Sequence, residues 1–412
     1  MKIFVLTPQI LYPWWYYGRY SMYFLLKKLA EKGLDIYLSF PVKDIAKEKE
    51  NLEHLYTLGL KIFPFELDTR DKVTKLLINI FEKEPFKINK YYSKRYLDFL
   101  IKEIQKIKPD IIQVHSSHMF KLGFNLVQKL DHKKVPIILR QQDIVHQQIK
   151  NFIVNVKNPI YRIIALWQYR KTYSYEMEIW NKADRIIFLT KQDYEYFLIK
   201  NPSSYYKAVM IPDGIEIKEN LYLKNKTKRI NGICFMASDQ IPNIISLKWF
   251  LSIWQKIHNK INLSFHVYGK ICKFFEKDKK RLEKFKVFLH GFIENKEELD
   301  HTISKYKLFI SPTITGSGYR TKIFDVSSFG MPILCTEFDY KAVDFIFQRN
   351  EDILVFANES ELLNILRNIE NKQINLELIS NNVYNKVRLN LSWDKIADMF
   401  IKVYNEIKIM GG

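Results

Sequence analysis

Short apolar runs alternate with longer amphipathic segments along the whole chain. KIFVLT (2–7), DIYLSF (35–40), KIFPF (61–65), DIIQVH (110–115), VPIILR (135–140) and RIIFLT (185–190) each read as a strand. Helical patterns lie between them. Residues 19–32 place Tyr23, Leu25, Leu26 and Leu29 on an apolar face and stop at Gly33. A basic stretch near 92–108 ends before Pro109, and a longer helical run covers about 159 to 182. Strands that are apolar almost throughout, separated by helices, predict a parallel sheet covered on both faces.

The alternation breaks at VMIPDGIEIKE (209–219) and at a polar, Lys-rich stretch, 224–231, which reads as a linker. It restarts with GICFMA (232–237), a helix around 244–258, LSFHVYG (263–269), VFLHG (287–291) and KLFISP (307–312). A helix from about 320 to 329, PILCT (332–336) and DILVF (352–356) complete the second series. The prediction is an α/β protein of two doubly wound halves. Ligands in such sheets bind outside the carboxyl ends of the strands, so two facing domains would hold them in the cleft between.

The length of 412 residues suits two or three domains. With 47% hydrophobic and 27% charged residues the chain has the balance of a soluble globular protein. No apolar run reaches the roughly 18 residues of a membrane-spanning helix. MKIFVLTPQ is too short for a signal-peptide core, and no small-residue cleavage site follows. The expected location is cytoplasmic. Cys234, Cys272 and Cys335 are scattered, without a C-x-x-C pair, so neither a disulfide framework nor a thiolate zinc site is encoded.

Charge adds a second theme. The 65 Lys and Arg against 45 Asp and Glu give +20, which favours an anionic partner. Residues 1–205 hold 34 basic and 21 acidic side chains, a net of +13. Within them, 83–108 gathers Lys83, Lys87, Lys90, Lys94, Arg95, Lys102, Lys106 and Lys108, interleaved with Phe86, Tyr91, Tyr92 and Tyr96. Such a segment suits an anionic membrane surface, and equally a solvated helix face.

The strongest chemical signal is TGSGYRTKIFDVSSFGMPILCT (315–336). A strand ends at Pro312, a Gly-Ser-Gly turn follows, and a helix begins near Arg320. Gly316 and Gly318 permit close backbone approach, and free amides at an exposed helix start would receive an anion. Arg320 and Lys322 oppose the helix macrodipole there, which an anionic ligand explains better than helix stability does. An ordinary strand–turn–helix connection is the plainer alternative. In the N-terminal half, His115 and His118 follow a strand end, as either structural or active-site histidines. LRQQDIVH (139–146) brings Arg140, Asp143 and His146 to another strand end, a cluster too polar for a core and so expected to line a cleft. Trp14 and Trp15 belong to an aromatic run before Gly18, suited to stacking on a sugar, to lipid headgroups, or to half-burial.

The 315–336 segment resembles the nucleotide-sugar site of family 4 glycosyltransferases of the two-domain GT-B fold. Their pattern G-x-(R/K)-x-K-x-x-E corresponds here to Gly318, Arg320 and Lys322, with Asp325 in place of the Glu. MIPDGIE (210–216), FMASDQIPNIISLKWF (235–250), FHVYGK (265–270), FLHGFIENKEEL (288–299) and SWDKIADMFIKVY (392–404) resemble further family segments in the same order. In the second of these the P-N pair is expected to precede the helix. Two departures stand out. Ser317 occupies the place of the family's first carboxylate, and ASDQIPN lacks the Arg and Lys that often grip a pyrophosphate.

The resemblance implies domains at 1–208 (acceptor side) and 209–391 (nucleotide-sugar side), and a helix, 392–412, that packs back on the first. It implies a retaining, metal-independent transfer from a nucleotide-diphospho-sugar to a glycan, lipid-linked or protein acceptor, with no cofactor and no metal site. Arg320 and Lys322 would stabilise the leaving diphosphate, and Asp325 would hold donor hydroxyls. His115, matching a family strand end, would polarise a sugar hydroxyl. Gly18, Gly316, Ser317, Gly318, Tyr319 and Thr321 would shape the donor site. Trp14, Trp15, His118, Arg140, Asp143 and His146 would lie on the acceptor side. A dinucleotide-dependent oxidoreductase is excluded because no G-x-G-x-x-G follows the first strand. No zinc-finger, RNP or helix-turn-helix signature supports a nucleic-acid partner. A GT-B epimerase or phosphorylase would share these features and differ in acceptor.

Overall fold

Strand β1 (Lys2–Leu6) is buried at four of its five positions because strands flank it on both sides and helices cover it above and below. It pairs in parallel with β2 (Asp35–Val42) and β4 (Ile111–His115). Beyond these lie β3 (Lys61–Glu66), β5 (Ile137–Gln141), β6 (Arg185–Phe188) and β7 (Ala208–Met210). The order is β3-β2-β1-β4-β5-β6-β7, every pair parallel, with the winding reversing between β1 and β4. The computed structural model describes residues 1–14, 18–71, 76, 79, 82–130, 135–224, 230–316 and 318–411. Most of the proposed linker, 225–229, lies outside them.

The chain divides into two compact units, Met1–Gly214 with Trp393–Gly412, and Ile215–Ser392. In the first, helix Tyr20–Glu31 buries Tyr23, Leu25, Leu26 and Leu29 and stops where Gly33 takes φ 84°. The final helix, Trp393–Gly411, packs on it: Phe24 stacks on Trp393 at 5.9 Å, and Lys32 reaches Asp398 at 2.8 Å. Helix Lys94–Ile107 turns Tyr96, Leu97, Leu100, Ile104 and Ile107 inward. The Tyr96 ring is fully buried, its hydroxyl 2.8 Å from Ser39 Oγ, and Tyr91 and Tyr92 pack partly buried against the same core. Lys90 is held by Asp71 at 2.8 Å. Segment 83–108 is therefore basic outside and aromatic inside, which corrects its reading as a basic, aromatic surface.

The second unit repeats the winding with β8 (Ile230–Met236), β9 (Ser264–Tyr268), β10 (Val287–Gly291), β11 (Tyr306–Ser311), β12 (Ile333–Thr336) and β13 (Leu354–Phe356). Their order is β10-β9-β8-β11-β12-β13, again all parallel. Helix Ile241–Ile257 covers one face, where Phe250 and Trp254 meet Phe265 at 5.0 and 5.5 Å. Pro242 and Asn243 lie inside its first turn rather than before it. Among the described residues no helix is long and apolar enough to cross a membrane.

Candidate functional site

After β11 the chain turns through Gly316 and Gly318, at φ 121° and 90°. Residues with a side chain rarely adopt such backbone, so this turn demands glycine. Ser317, between them, lies outside the described residues. Helix Thr321–Ser327 follows, and three of its first four amides are already occupied. Thr321 N–H donates to the Tyr319 carbonyl, and Ile323 and Phe324 N–H donate to Arg320. These three amides are engaged within the turn, and side chains add positive charge beside them.

Those side chains are not exposed, as expected, but sunk into the unit. Arg320 Nε lies 2.7 Å from Asp339 Oδ1, with the two side chains 10% and 0% exposed. Neither of these two atoms has an aligned hydrogen-bond partner among the described residues, so the contact is an ion pair off the N–H axis. Asp339 also accepts from Ser311 Oγ at 2.5 Å; burial raises its pKa and Arg320 opposes that rise. The Arg320 guanidinium lies over Phe338 at 5.1 Å. Lys322 Nζ donates to Asn243 Oδ1 at 2.7 Å and sits 5.0 Å over the Phe235 ring. Burial lowers its pKa to about 8, with Asp339 resisting and Arg320 adding to the shift. Of these two cations only Arg320 has a carboxylate in contact; Lys322 is held by a neutral amide.

The other predicted donor residues frame this pair. Tyr319 stacks on Phe324 at 4.6 Å, and Thr321 is exposed. Asp325 Oδ2 lies 3.4 Å from Lys296 Nζ, whose other carboxylate is Asp300 Oδ1 at 2.7 Å. Asn243, Asp339 and Lys296 were missed by sequence reasoning. Asn243 had a signal, its place in the quoted P-N pair; the other two meet the site only through the fold.

In the first unit the strand ends carry a closed network. Arg140, 1% exposed, pairs with Asp213 and donates to Ser21 Oγ at 2.5 Å. Its NH1 approaches His115 Nδ1 at 3.4 Å, while His115 Nε2 lies 2.8 Å from Gln113 Nε2. Tyr404 of the final helix donates to Gln113 Oε1 at 2.7 Å. Burial, then the Arg140 charge, holds the His115 pKa well below its ordinary value, so the ring is neutral. His118 is likewise neutral, pushed down to about 4 by burial and by Lys87 and Lys90, with Nδ1 2.9 Å from Ser116 Oγ.

His146 is fully buried. Its Nδ1 is 2.6 Å from Glu176 Oε2 and its Nε2 3.0 Å from the Tyr196 hydroxyl, which fastens the start of helix Val145–Asn155 to helix Pro159–Lys182. Arg140 and His146 are thus interior groups, not the cleft lining expected of them. Asp143 is half-buried, and burial raises its pKa. Trp14 packs edge-on against Phe24 at 5.3 Å and Tyr20 at 5.7 Å. Trp15 lies outside the described residues. Gly18 takes φ 79° beside Gln9.

A cavity of about 500 Å³ lies elsewhere in the first unit, between helices Ser117–Val127 and Pro159–Lys182. Several of its cations already have partners. Lys121 meets Glu84, Lys182 meets Glu178, and Lys171 donates to the Asn79 and Glu82 carbonyls.

No family model matches this chain, and no curated protein matches it. Solved structures do, over its full length, and they establish the fold as GT-B, two Rossmann-like domains in one chain. Anabaena HepE, solved in complex with UDP, is 12% identical at a TM-score of 0.64, covering 98% of this chain and 100% of its own. Sucrose-phosphate synthase of Thermosynechococcus elongatus is 13% identical at 0.66, covering 99% of each chain. WaaB, a lipopolysaccharide outer core galactosyltransferase, is 9% identical at 0.62, covering 98% and 100%.

Proposed function

We propose that this protein is a glycosyltransferase that moves a sugar from a nucleotide-diphospho-sugar to a hydroxyl acceptor, with retention and without a metal. One observation carries the reading: Arg320, paired with Asp339, and Lys322, held by the neutral amide oxygen of Asn243, lie beside a glycine turn that follows a parallel strand. A diphosphate would relieve that imbalance. The similarity to HepE with UDP and to a galactosyltransferase points the same way.

In the reaction the bond between the anomeric carbon and the diphosphate breaks, and charge grows on the departing oxygens. Lys322, aimed by Asn243, and Arg320, aimed by Asp339, meet that charge with little reorganisation, the condition under which fixed charges accelerate a reaction most. Gly316 and Gly318 admit the phosphates, Ser317, Tyr319 and Thr321 shape the donor site, and Asp325 accepts from donor hydroxyls. On this reading the second unit holds the donor and the first the acceptor, an envelope glycan, a lipid-linked glycan or a protein. Gly18 is assigned to the donor side, and Trp14, Trp15, His118 and Asp143 to the acceptor side. His115, Arg140 and His146 act from beneath, as the neutral and paired groups that fix the strand ends. The setting is the cytoplasm, at a membrane where the acceptor is lipid-linked.

The test is release of nucleoside diphosphate from UDP-, GDP- and ADP-sugars, with and without hydroxyl acceptors, in excess chelator. Acceptor-dependent release is expected. Sugar isomerisation without release would make the protein an epimerase. Release restored only by magnesium or manganese would overturn the metal-free mechanism.

A further inference from the structure

Among the described residues of the first unit, exposed apolar side chains gather most densely at one place. Helices Val145–Asn155 and Pro159–Lys182 form an antiparallel hairpin, joined through 156–158. The base of the hairpin is core: Tyr175, Glu176, Ile179 and Trp180 are buried. Its tip is the reverse. Phe152, Val154, Ile160, Tyr161 and Ile163 are 52–76% exposed, and Leu166 follows on the same helix. All residues from 157 to 163 are exposed. The tip is nonetheless well built: Asn158 Oδ1 accepts from Ile160 N–H at 2.9 Å and Tyr161 N–H at 3.3 Å, and Pro159 sits at the first helical position.

Charge on the hairpin is equally one-sided. Residues 144–175 contain Lys150, Lys157, Arg162, Arg170 and Lys171, and no Asp or Glu. Lys150, Lys157 and Arg162 are exposed around the apolar tip. Paired cations occur elsewhere on the surface, as at Lys28, Lys61, Lys106 and Lys182, whereas among the described residues Lys150, Lys157 and Arg162 form no ion pair. An apolar tip ringed by unopposed cations has a specific complement: an apolar phase bounded by anions.

We propose that the tip of this hairpin docks on an anionic lipid surface, with Val154, Ile160 and Ile163 entering the acyl boundary and Lys150, Lys157 and Arg162 among the headgroup phosphates. The protein lies on the membrane rather than through it. A second copy of the chain is a poor occupant, because two tips would bring together cations with no carboxylate between 144 and 175 to oppose them. A nucleic acid offers phosphates but no apolar interior for the isoleucines. The docking surface is therefore the hairpin, not the basic segment 83–108, whose aromatic rings face the core.

The experiment is co-sedimentation of the full chain with vesicles of phosphatidylcholine alone or mixed with phosphatidylglycerol. It needs no knowledge of the donor or of any activity. Wild type should pellet with the anionic vesicles roughly tenfold more than with neutral ones, and less as salt shortens the screening length from about 10 Å at 0.1 M to about 3 Å at 1 M. Ile160→Ser with Ile163→Ser, and separately Lys157→Gln with Arg162→Gln, should each lose most of that binding. These positions are exposed, so circular dichroism and the thermal midpoint should match wild type. Lys87→Ser with Lys94→Ser and Arg95→Ser should bind as wild type does. Wild-type binding by both hairpin variants, or no binding of wild type to anionic vesicles, overturns the proposal. Salt-insensitive self-association that Ile160→Ser abolishes would assign the face to a second copy instead.

Discussion

Arg140, at the carboxyl end of β5, and Lys322, just beyond the carboxyl end of β11, are both sunken cations, but their surroundings differ. Arg140 has a carboxylate of its own, Asp213, and a hydroxyl, Ser21 Oγ, within one unit. Lys322 has a neutral amide oxygen and an aromatic face, and shares Asp339 with Arg320. A buried charge matched by its own counter-ion belongs to the scaffold, and removing one partner is costly. A buried charge left short of a counter-ion is poised for an anion from outside. Carboxyl strand ends of two similar sheets thus differ, one holding the frame and one, on the proposed reading, receiving a ligand.

The largest expected effect falls on the frame. Arg140→Met should lower stability in urea unfolding by about 3–5 kcal/mol, since it breaks the buried ion pair with Asp213. Lys322→Met should cost far less, because it removes a charge that burial disfavours. Equal losses in the two variants would erase the distinction.

Next in size is the effect on the ligand side. Lys322→Gln and Arg320→Gln should each reduce turnover by roughly 10²–10³. Arg320→Gln should also destabilise the second unit by stranding Asp339. Adding Asp339→Asn should restore stability without restoring turnover, which separates the two roles of Arg320.

The pH dependence sharpens the contrast further. With a pKa of about 8 in the free protein, Lys322 is charged below that pH and neutral above it. Donor affinity should therefore be full near pH 7 and fall as pH rises through 8, by at most about tenfold per unit for one proton. Lys322→Arg should flatten this profile, as a guanidinium does not titrate there. Calorimetry with the nucleoside diphosphate would show either result.

The smallest effect expected is that of Gly318→Ala. At φ 90° an alanine is strained, and the cost should be about 1–2 kcal/mol of stability. Donor affinity should fall with it if the turn cradles phosphate.

Much of the fold was legible because parallel strands buried on both faces leave a continuous apolar signature, as in KIFVL of β1 and IIQVH of β4. Strand β7, Ala208–Met210, was missed; it is a half-buried edge of three residues running into Pro212 and Gly214. The glycine turn and its two cations were legible because they are contiguous. Asp339 was not, since β12 intervenes between it and Arg320. The surface of 83–108 was misjudged because a helix sorts its side chains by angle, not by composition. Tyr96 sits among lysines yet turns inward, while Ile160 and Ile163 look like core and point to water.

The final helix has a consequence for how the molecule is made. Tyr404 and Gln113 stand 291 positions apart, so the seven-stranded sheet leaves the ribosome long before the helix that covers Gln113 and Trp393's partner Phe24. The whole of 215–392 is synthesised in between. Domains generally fold as units in the order they emerge. Here the first unit to begin folding is the last to finish, and it waits with an apolar face open to solvent. A nascent chain in that state is a natural client for a chaperone, and a stop codon near 392 would leave it there permanently.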